Sequence, residues 1–255
     1  MMESALNIAL QNYSTALGDD SLVLGHRLSE WCRNGPFLEE DLALTNVSLD
    51  FIGRARMFYS YAAGLDNDGR SEDDIAYLRD CREYRNLLIN ELPNGDFAFT
   101  MARQLIIDVY DMGFFTRLAL SEDSTLAAIA AKAVKESRYH LRRSEDWVKR
   151  LGDGTEESHE RVQHSIDNLW RYTGEMFAAD EVDTIMEKVY AGPNLESIHK
   201  RWQDGIEAIL INATLTRPED GWMDAGGKAG RHSEHLGYMI AEMQYLQRTH
   251  PGASW

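Results

Sequence analysis

The sequence predicts an all-α fold built on a four-helix bundle with additional helices. Only 5 of the 255 residues are proline, and proline is the residue that most strongly interrupts a helix. Two long stretches, 37–63 and 124–150, carry mostly apolar or small side chains at steps of three and four residues, which is the spacing of one helix face. No segment alternates β-branched with polar residues, so we expect almost no strand.

The first two helices of the bundle are predicted at about 20–33 and 37–63. Gly18–Ser21 is interpreted as a break that caps the first, and Asn34–Pro36 separates it from the second. In the second helix, the recurring side chains that define the expected inner face are Leu38, Leu42, Thr45, Leu49, Ile52 and Arg56.

The other two bundle helices are predicted at about 96–120 and 124–150. A crossover helix at about 72–91 precedes them, and Ser71 with Asp74 has the spacing of a capping box at its start. In the fourth bundle helix, the recurring side chains are Leu126, Ile129, Ala133, Ser137, His140, Ser144 and Trp147.

The C-terminal half is predicted to be helical and to cover the bundle. Leu151–Thr155 ends one helix and caps the next, and helices are expected over about 155–250. We therefore expect one domain spanning 1–255, with its core bundle at about 20–150.

Charge and cysteine content exclude several classes of function. The formal net charge is −16, from 42 acidic and 26 basic residues. Such a surface repels a phosphate backbone, so nucleic-acid binding is not expected, whereas a basic partner protein would be attracted. Cys32 and Cys81 are too few for a disulfide framework and are not spaced for zinc, so they are expected to be reduced thiols in a cytoplasmic protein. We expect neither a signal peptide nor a membrane span.

Several polar residues lie within the apolar runs of the predicted bundle helices. Burying such side chains is costly unless they are hydrogen-bonded, so we expect them to meet in the bundle centre. One interpretation is metal binding, and the other is a satisfied polar network that includes an Asp50–Arg54 pair one turn apart. The residues concerned are His26, Asn46, Asp50, Gln104, Asp108 and His140.

The di-iron interpretation lacks its ligands. A di-iron bundle takes one Glu from each of two helices and a Glu-x-x-His from each of the other two. Here the fourth helix has Ser137 in the Glu position before His140, and the second helix has Arg54 where a His ligand would lie. Two irons need several carboxylates, so the polar network is the favoured interpretation.

Other candidate sites lie outside the bundle. Glu156–His159 and Glu196–His199 are Glu-x-x-His strings that open helices among polar residues, so we expect them to be solvated. His232–His235 contains two His three residues apart, which suits either a metal site or an ordinary helix start. In the preceding GGKAGR segment, Lys228 and Arg231 are candidates to contact the phosphate of an acyl-CoA.

Five segments carry a resemblance that covers essentially the whole chain. They are GDDSLVLGHRLSEWC, DLALTNVSLDFIGRAR, LLINELPNGDFAFTMARQ, KAVKESRYHLRRSEDWVKRLGDGT and GGKAGRHSEHLGYMIAEMQYLQRTHPGASW. Together they resemble the structural, non-catalytic C subunits of bacterial ring-1,2-phenylacetyl-CoA epoxidases, multicomponent monooxygenases of phenylacetate degradation.

The resemblance implies a ferritin-like fold and a role within a complex. It implies that this chain binds no cofactor and pairs with a homologous catalytic subunit that carries the di-iron centre. Other epoxidase subunits are implied, including a reductase that uses FAD, an iron–sulfur cluster and NADPH. The implied complex converts phenylacetyl-CoA to its ring epoxide with O₂.

Aligned by helix order with the catalytic relative, the ligand positions of this chain are degenerate. They fall at His26, Phe51, Arg54, Gln104, Ser137 and His140, of which only His140 is a ligand type. The alternatives are a stand-alone di-iron oxidase with atypical ligands, or a CoA-binding helper module. The atypical ligands of that oxidase would be Asp50, Asp108, Glu136 and His140.

Overall fold

The computed structural model describes residues 2–66 and 68–253, and within them it contains helices and no strand. The all-α prediction is therefore confirmed. The α-helices are α1 (Met2–Ser29), α2 (Leu38–Leu65), α3 (Glu72–Tyr77), α4 (Leu88–Glu91), α5 (Phe97–Leu118), α6 (Ser124–Gly152), α7 (Glu156–Trp170), α8 (Gly174–Phe177), α9 (Glu181–Tyr190), α10 (Leu195–Asn212), α11 (Glu234–Met243) and α12 (Tyr245–Thr249), and Cys81–Glu83 and Gly227–Ala229 are 3-10 helices.

The chain forms two compact units. The first, called unit 1, comprises Met1–Pro93 and Ala225–Trp255, and the second, called unit 2, comprises Asn94–Asp224. The expectation of one domain at 1–255 with a core at about 20–150 stays a prediction. No helix in the described part of the chain is long and apolar enough to cross a bilayer.

Unit 1 is built on the paired helices α1 and α2, against which α3 and α4 pack. Its core contains residues of α1, α2, α3 and α11. Residues after 225 therefore pack with residues before 93. The buried members of this core are Leu22, Val23, Ala55, Tyr59, Ala62, Ile75, Ala76, Tyr84, Leu236, Met239 and Ile240.

Unit 2 is built on α5, which packs against α6, α7 and α10. The starts of α5 and α6 are stabilised by side-chain caps. The Asp96 side chain accepts a hydrogen bond from Phe99 N at 2.8 Å, and Asp123 accepts one from Leu126 N at 2.8 Å. Trp202 Nε1 donates to the Ile106 carbonyl at 3.0 Å, which joins α10 to α5.

The predicted break at Gly18–Ser21 is wrong, because α1 runs through it. These residue types favour caps, but here they serve the contact between α1 and α2. A side chain on Gly18 would place its Cβ 2.5 Å from the Tyr59 ring, so glycine permits the two helices to approach. Ser21 Oγ bonds back to the Leu17 carbonyl at 2.9 Å, which is an intrahelical bond.

The single crossover helix predicted at 72–91 is also wrong. The segment contains α3, one 3-10 helix and α4, joined by extended residues. The capping box of Ser71 and Asp74 is confirmed at the start of α3. The helix does not continue because the following backbone is held by buried polar bonds to α1, described below.

The inner face predicted for α2 is wrong, because none of its six residues is buried and only Thr45 and Ile52 are partly buried. Leu38, Leu42 and Leu49 are exposed, with 70%, 55% and 60% of their surface accessible. The face that is actually buried carries Leu44, Val47, Ser48, Phe51, Arg54, Ala55, Phe58, Tyr59 and Ala62. The first half of α2 is therefore apolar on two sides.

Candidate functional site

The polar residues predicted on the third and fourth bundle helices meet inside unit 2. Asp108 is fully buried on α5, and its carboxylate accepts two hydrogen bonds. Gln104 Nε2 donates to Oδ1 at 3.0 Å, and Ser144 Oγ, from α6, donates to Oδ2 at 2.7 Å. Of the polar residues expected to meet, Gln104 and Asp108 do so, with Ser144 as an additional member of the cluster, whereas Asn46 of α2 is exposed.

Burial dominates the electrostatics of this cluster. Desolvation raises the pKa of Asp108 to about 6, against the opposing effects of His140 and of the hydrogen bond from Ser144. The charge of the neighbouring Asp111 acts in the same direction as desolvation and is included in that value. The group thus titrates near neutrality, which is unusual for an aspartate.

Ser137 and His140, two of the degenerate ligand positions, are buried on α6. Glu136, which the oxidase alternative uses as a ligand, lies 3.2 Å from Lys132 Nζ in an ion pair along the helix. Its carboxylate is thus engaged by a cation of its own helix.

The degenerate positions of unit 1 form an apolar and cationic environment. Phe51 and Arg54 are both buried on α2, and the Arg54 guanidinium lies 4.7 Å from the centre of the Phe51 ring. His26 is half-buried on α1, and burial lowers its pKa. Asp50 is half-buried, and its pairing with Arg54 stays a prediction.

These donors do not fit a di-iron centre. Such a centre requires a set of carboxylates and imidazoles pointing at one place. In residues 2–66 and 68–253, no group of three or more His, Cys, Asp or Glu side chains is arranged to hold a metal ion. No step of a reaction is therefore assigned to metal held by this chain.

The two Glu-x-x-His strings lie at helix starts, as predicted. Glu156 is exposed, and His159 Nδ1 is 2.7 Å from the Gly152 carbonyl. Glu196 is exposed, and the ring of His199 stacks on Phe177 with centroids 4.2 Å apart. Each histidine has a local structural contact.

His232 is the first residue of the last candidate cluster, and other residues of unit 1 bind its side chain. Its Nδ1 lies 2.9 Å from Glu91 Oε2 and its Nε2 lies 3.0 Å from the Tyr84 carbonyl. Ser233 N donates to the other Glu91 oxygen at 2.6 Å. Burial lowers the pKa of His232, but the hydrogen bonds to Glu91 and the Tyr84 carbonyl, together with the charges of Glu91 and Asp19, outweigh burial, so the pKa lies above its ordinary value.

The Gly-rich segment before His232 packs on the crossover segment of unit 1. Lys228 is half-buried on the 3-10 helix, and Arg231 is exposed. A Cβ on Gly227 would lie 2.1 Å from the Asn86 carbonyl oxygen, so glycine is required for this close approach. Packing against the crossover segment therefore fixes the position of the Gly-rich segment. Lys228 and Arg231 lie one and four residues after the contact at Gly227.

Comparison with known proteins identifies the family. The family model described as "Phenylacetic acid catabolic protein" matches residues 1–255. The chain belongs to the phenylacetic acid catabolic protein family. It is also 49% identical to the C subunit of the 1,2-phenylacetyl-CoA epoxidase of Escherichia coli (strain K12) over 246 residues, which are 96% of this chain and 99% of that relative. The resemblance that the five sequence segments indicate is confirmed.

The phenylacetic acid catabolic protein family is ferritin-like, in agreement with the fold class predicted for this member. Sequence reasoning missed two features of this family member. One is a buried network around Asp19 in unit 1, whose partners lie 40–66 residues away. The other is a group of arginines beside the Gly-rich segment. Neither has a local spacing that would indicate it, because the partners come from separate segments.

Proposed function

We propose that this chain is a structural, non-catalytic subunit of a phenylacetyl-CoA epoxidase. It binds a homologous di-iron subunit, which carries out the chemistry, and a reductase with FAD and an iron–sulfur cluster delivers electrons from NADPH. The similarity to an epoxidase subunit of Escherichia coli supports membership of such a complex. The cytoplasm is the proposed location, since Cys32 and Cys81 are free thiols.

The observation that carries this proposal is the exposed apolar face of α2. Leu38, Leu42 and Leu49 follow one another at four and seven residues and lie on one side of the helix, with exposed Phe37 directly before them. Single exposed leucines are common on protein surfaces, but three exposed leucines on one side of a helix indicate a contact surface. Burying one leucine contributes roughly 1.5–3 kcal/mol before the costs of association.

The charges beside this face favour a partner other than a second copy. The first turn of α2 carries Glu39, Glu40 and Asp41, and the whole chain has a net charge of −16. Two such surfaces repel each other, whereas a helix with apolar anchors and flanking Lys or Arg is attracted. The di-iron partner is therefore expected to present that pattern.

Leu42→Asp and Leu49→Asp are expected to weaken binding to the purified di-iron subunit by at least about 100-fold, because each places a charge in the apolar contact. Isothermal titration calorimetry measures the affinity. Both side chains are exposed, so circular dichroism and the Tm of the isolated chain should stay unchanged. Leu120→Asp is the matched control, since Leu120 is an exposed leucine of unit 2. Unchanged affinity in both α2 variants would exclude this face.

Metal analysis tests the non-catalytic role separately. The isolated chain is expected to contain no stoichiometric iron, and the co-purified complex about two irons per heterodimer. The measurement is inductively coupled plasma mass spectrometry on both samples. Two irons held by the isolated chain would instead support the stand-alone oxidase.

A further inference from the structure

Four basic residues surround the Gly-rich segment in unit 1. Arg82 and Arg85 come from the crossover segment, and Lys228 and Arg231 come from the Gly-rich segment itself. Gly230 has φ 73°, and a Cβ there would lie 2.3 Å from the Arg82 carbonyl oxygen and 2.6 Å from Arg85 Nη1. The two segments are thus in direct contact, and the residues that carry these four cations belong to neighbouring stretches of backbone.

The arginines of this cluster differ from three of the other exposed arginines of unit 1, although exposed Arg33 also lacks an ion pair among the described residues. Arg56, Arg70 and Arg248 each pair with a carboxylate. Among the residues that the structure describes, Arg82, Arg85 and Arg231 form no ion pair. These three therefore carry positive charge that the fold does not neutralise, in a chain with 42 acidic residues.

The carboxylates nearest in sequence to Arg82 and Arg85 are engaged elsewhere, whereas Glu234, three residues after Arg231, is exposed and forms no ion pair among the described residues. Glu83 accepts a hydrogen bond from Asp80 N at 2.7 Å, and the Asp80 side chain pairs with Arg248 at 3.2 Å. Arg85 Nη1 donates to the carbonyls of Arg82 and Tyr84, both at 2.7 Å, which orients its guanidinium.

The support beneath the cluster is rigid. Arg231 N donates to the Gly226 carbonyl at 2.9 Å, which closes the segment into a turn. The side chain of His232 is buried and bound at both ring nitrogens, to Glu91 and to the Tyr84 carbonyl. A site on such a turn is organised before a ligand arrives, which reduces the entropic cost of binding.

We propose that Arg82, Arg85, Lys228 and Arg231 form an anion site for a phosphate-bearing ligand, of the kind a coenzyme A thioester carries. Guanidinium groups match phosphate oxygens with two parallel hydrogen bonds, and such bonds are about twice as strong as neutral ones. The choice of coenzyme A over other phosphates rests on the proposed function. The site holds the phosphate end of the substrate, and the chemistry takes place on the partner.

Isothermal titration calorimetry of the full chain tests the site with three probes: coenzyme A, dephospho-coenzyme A and inorganic phosphate. We expect coenzyme A to bind, and Arg82→Gln and Arg231→Gln each to weaken binding by about tenfold or more through loss of a charged hydrogen bond. Both side chains are exposed, so folding should be unaffected. Arg70→Gln, which removes an exposed arginine of unit 1 that pairs with Asp66, is the matched control and should bind as the unmodified chain does.

The probes separate the sources of phosphate. Weaker binding of dephospho-coenzyme A assigns the site to the 3′-phosphate, and equal binding assigns it to the diphosphate. Inorganic phosphate binding as tightly as coenzyme A assigns it to free phosphate. Absence of binding by all three probes, or equal affinities in the Arg82 and Arg231 variants, overturns the site.

The result of the phosphate titrations does not depend on the contact between α2 and the di-iron subunit. Arg82→Gln and Arg231→Gln are expected to leave the affinity for the di-iron subunit unchanged, and Leu42→Asp is expected to leave coenzyme A binding unchanged. A chain that binds the di-iron subunit but no phosphate probe would overturn this inference alone. A chain that binds coenzyme A but not the di-iron subunit would overturn the proposed function alone.

Discussion

Replacing Asp19 with Asn is expected to destabilise unit 1 by about 3–5 kcal/mol, the usual cost of breaking a buried ion pair by removing one partner. Asp19 is fully buried on α1 and pairs with Arg79, which is also buried. Its Oδ1 accepts from Tyr59 OH at 2.6 Å, and its Oδ2 accepts from Arg79 Nη1 at 3.1 Å and Arg85 N at 2.8 Å. The variant leaves the Arg79 guanidinium in the core without its counter-charge.

Urea unfolding measures the free energy, and hydrogen exchange of residues 71–93 reports whether the crossover segment opens first. Arg56→Gln is the control, because the Arg56–Glu72 pair lies at the surface and exposed pairs contribute little. The double variant Asp19→Leu with Arg79→Met should recover part of the loss, since it removes both charges together. A loss below about 1 kcal/mol in Asp19→Asn would contradict the central role of this pair.

The same residues explain why the start of the first helix is predicted wrongly from sequence. Gly18, Asp19 and Ser21 are cap-forming residue types, and local sequence contains nothing to oppose that interpretation. The opposing information is the contact with Tyr59 and Arg79, 40 and 60 residues away. The irregular crossover has the same origin, because Arg79 and the Arg85 backbone amide are bound to Asp19.

Periodicity predicts the existence and length of α2 and α6 closely, but it does not assign the faces of α2. A leucine stripe has the same spacing whether it faces a core or another subunit. Leu38, Leu42 and Leu49 are therefore predicted to lie inside, although they are exposed. Only the three-dimensional packing distinguishes this surface from the buried side that carries Phe51 and Phe58.

The candidate sites also differ in how much of each can be predicted from the sequence. The cluster of Gln104 and Asp108 is predictable, because two polar residues one turn apart within an apolar helix must satisfy each other or a neighbour. The arginine cluster is predictable only for Lys228 and Arg231, which lie in one segment. Arg82 and Arg85 join them through the close approach of Gly230, a tertiary contact between parts of the chain about 150 residues apart.

Replacing Asp108 with Asn is expected to increase the stability of unit 2 at neutral pH by up to about 3 kcal/mol, the free energy that corresponds to a pKa moved from 3.8 to about 6. The folded-state pKa is raised, so the unfolded chain ionises at lower pH than the folded one. Below about pH 4 the carboxyl is protonated in both the folded and the unfolded chain, so its burial does not lower the free energy of unfolding through ionisation. Stability then falls as pH rises from about 4 to about 6, and the loss persists above that range.

The difference in unfolding free energy between the Asp108→Asn variant and the unmodified chain should thus be small at pH 4 and largest at pH 7. Urea unfolding at several pH values measures it, and the hydrogen bonds from Gln104 and Ser144 reduce it where the amide satisfies them less well. Asp146→Asn, which removes an exposed carboxylate of α6, controls for the loss of one negative charge. A difference that does not change between pH 4 and pH 7 would show that burial does not set the ionisation of Asp108. An increasing difference would mean that the cluster keeps a destabilising charge in unit 2 at neutral pH, as expected of a polar interior retained for helix register rather than for stability.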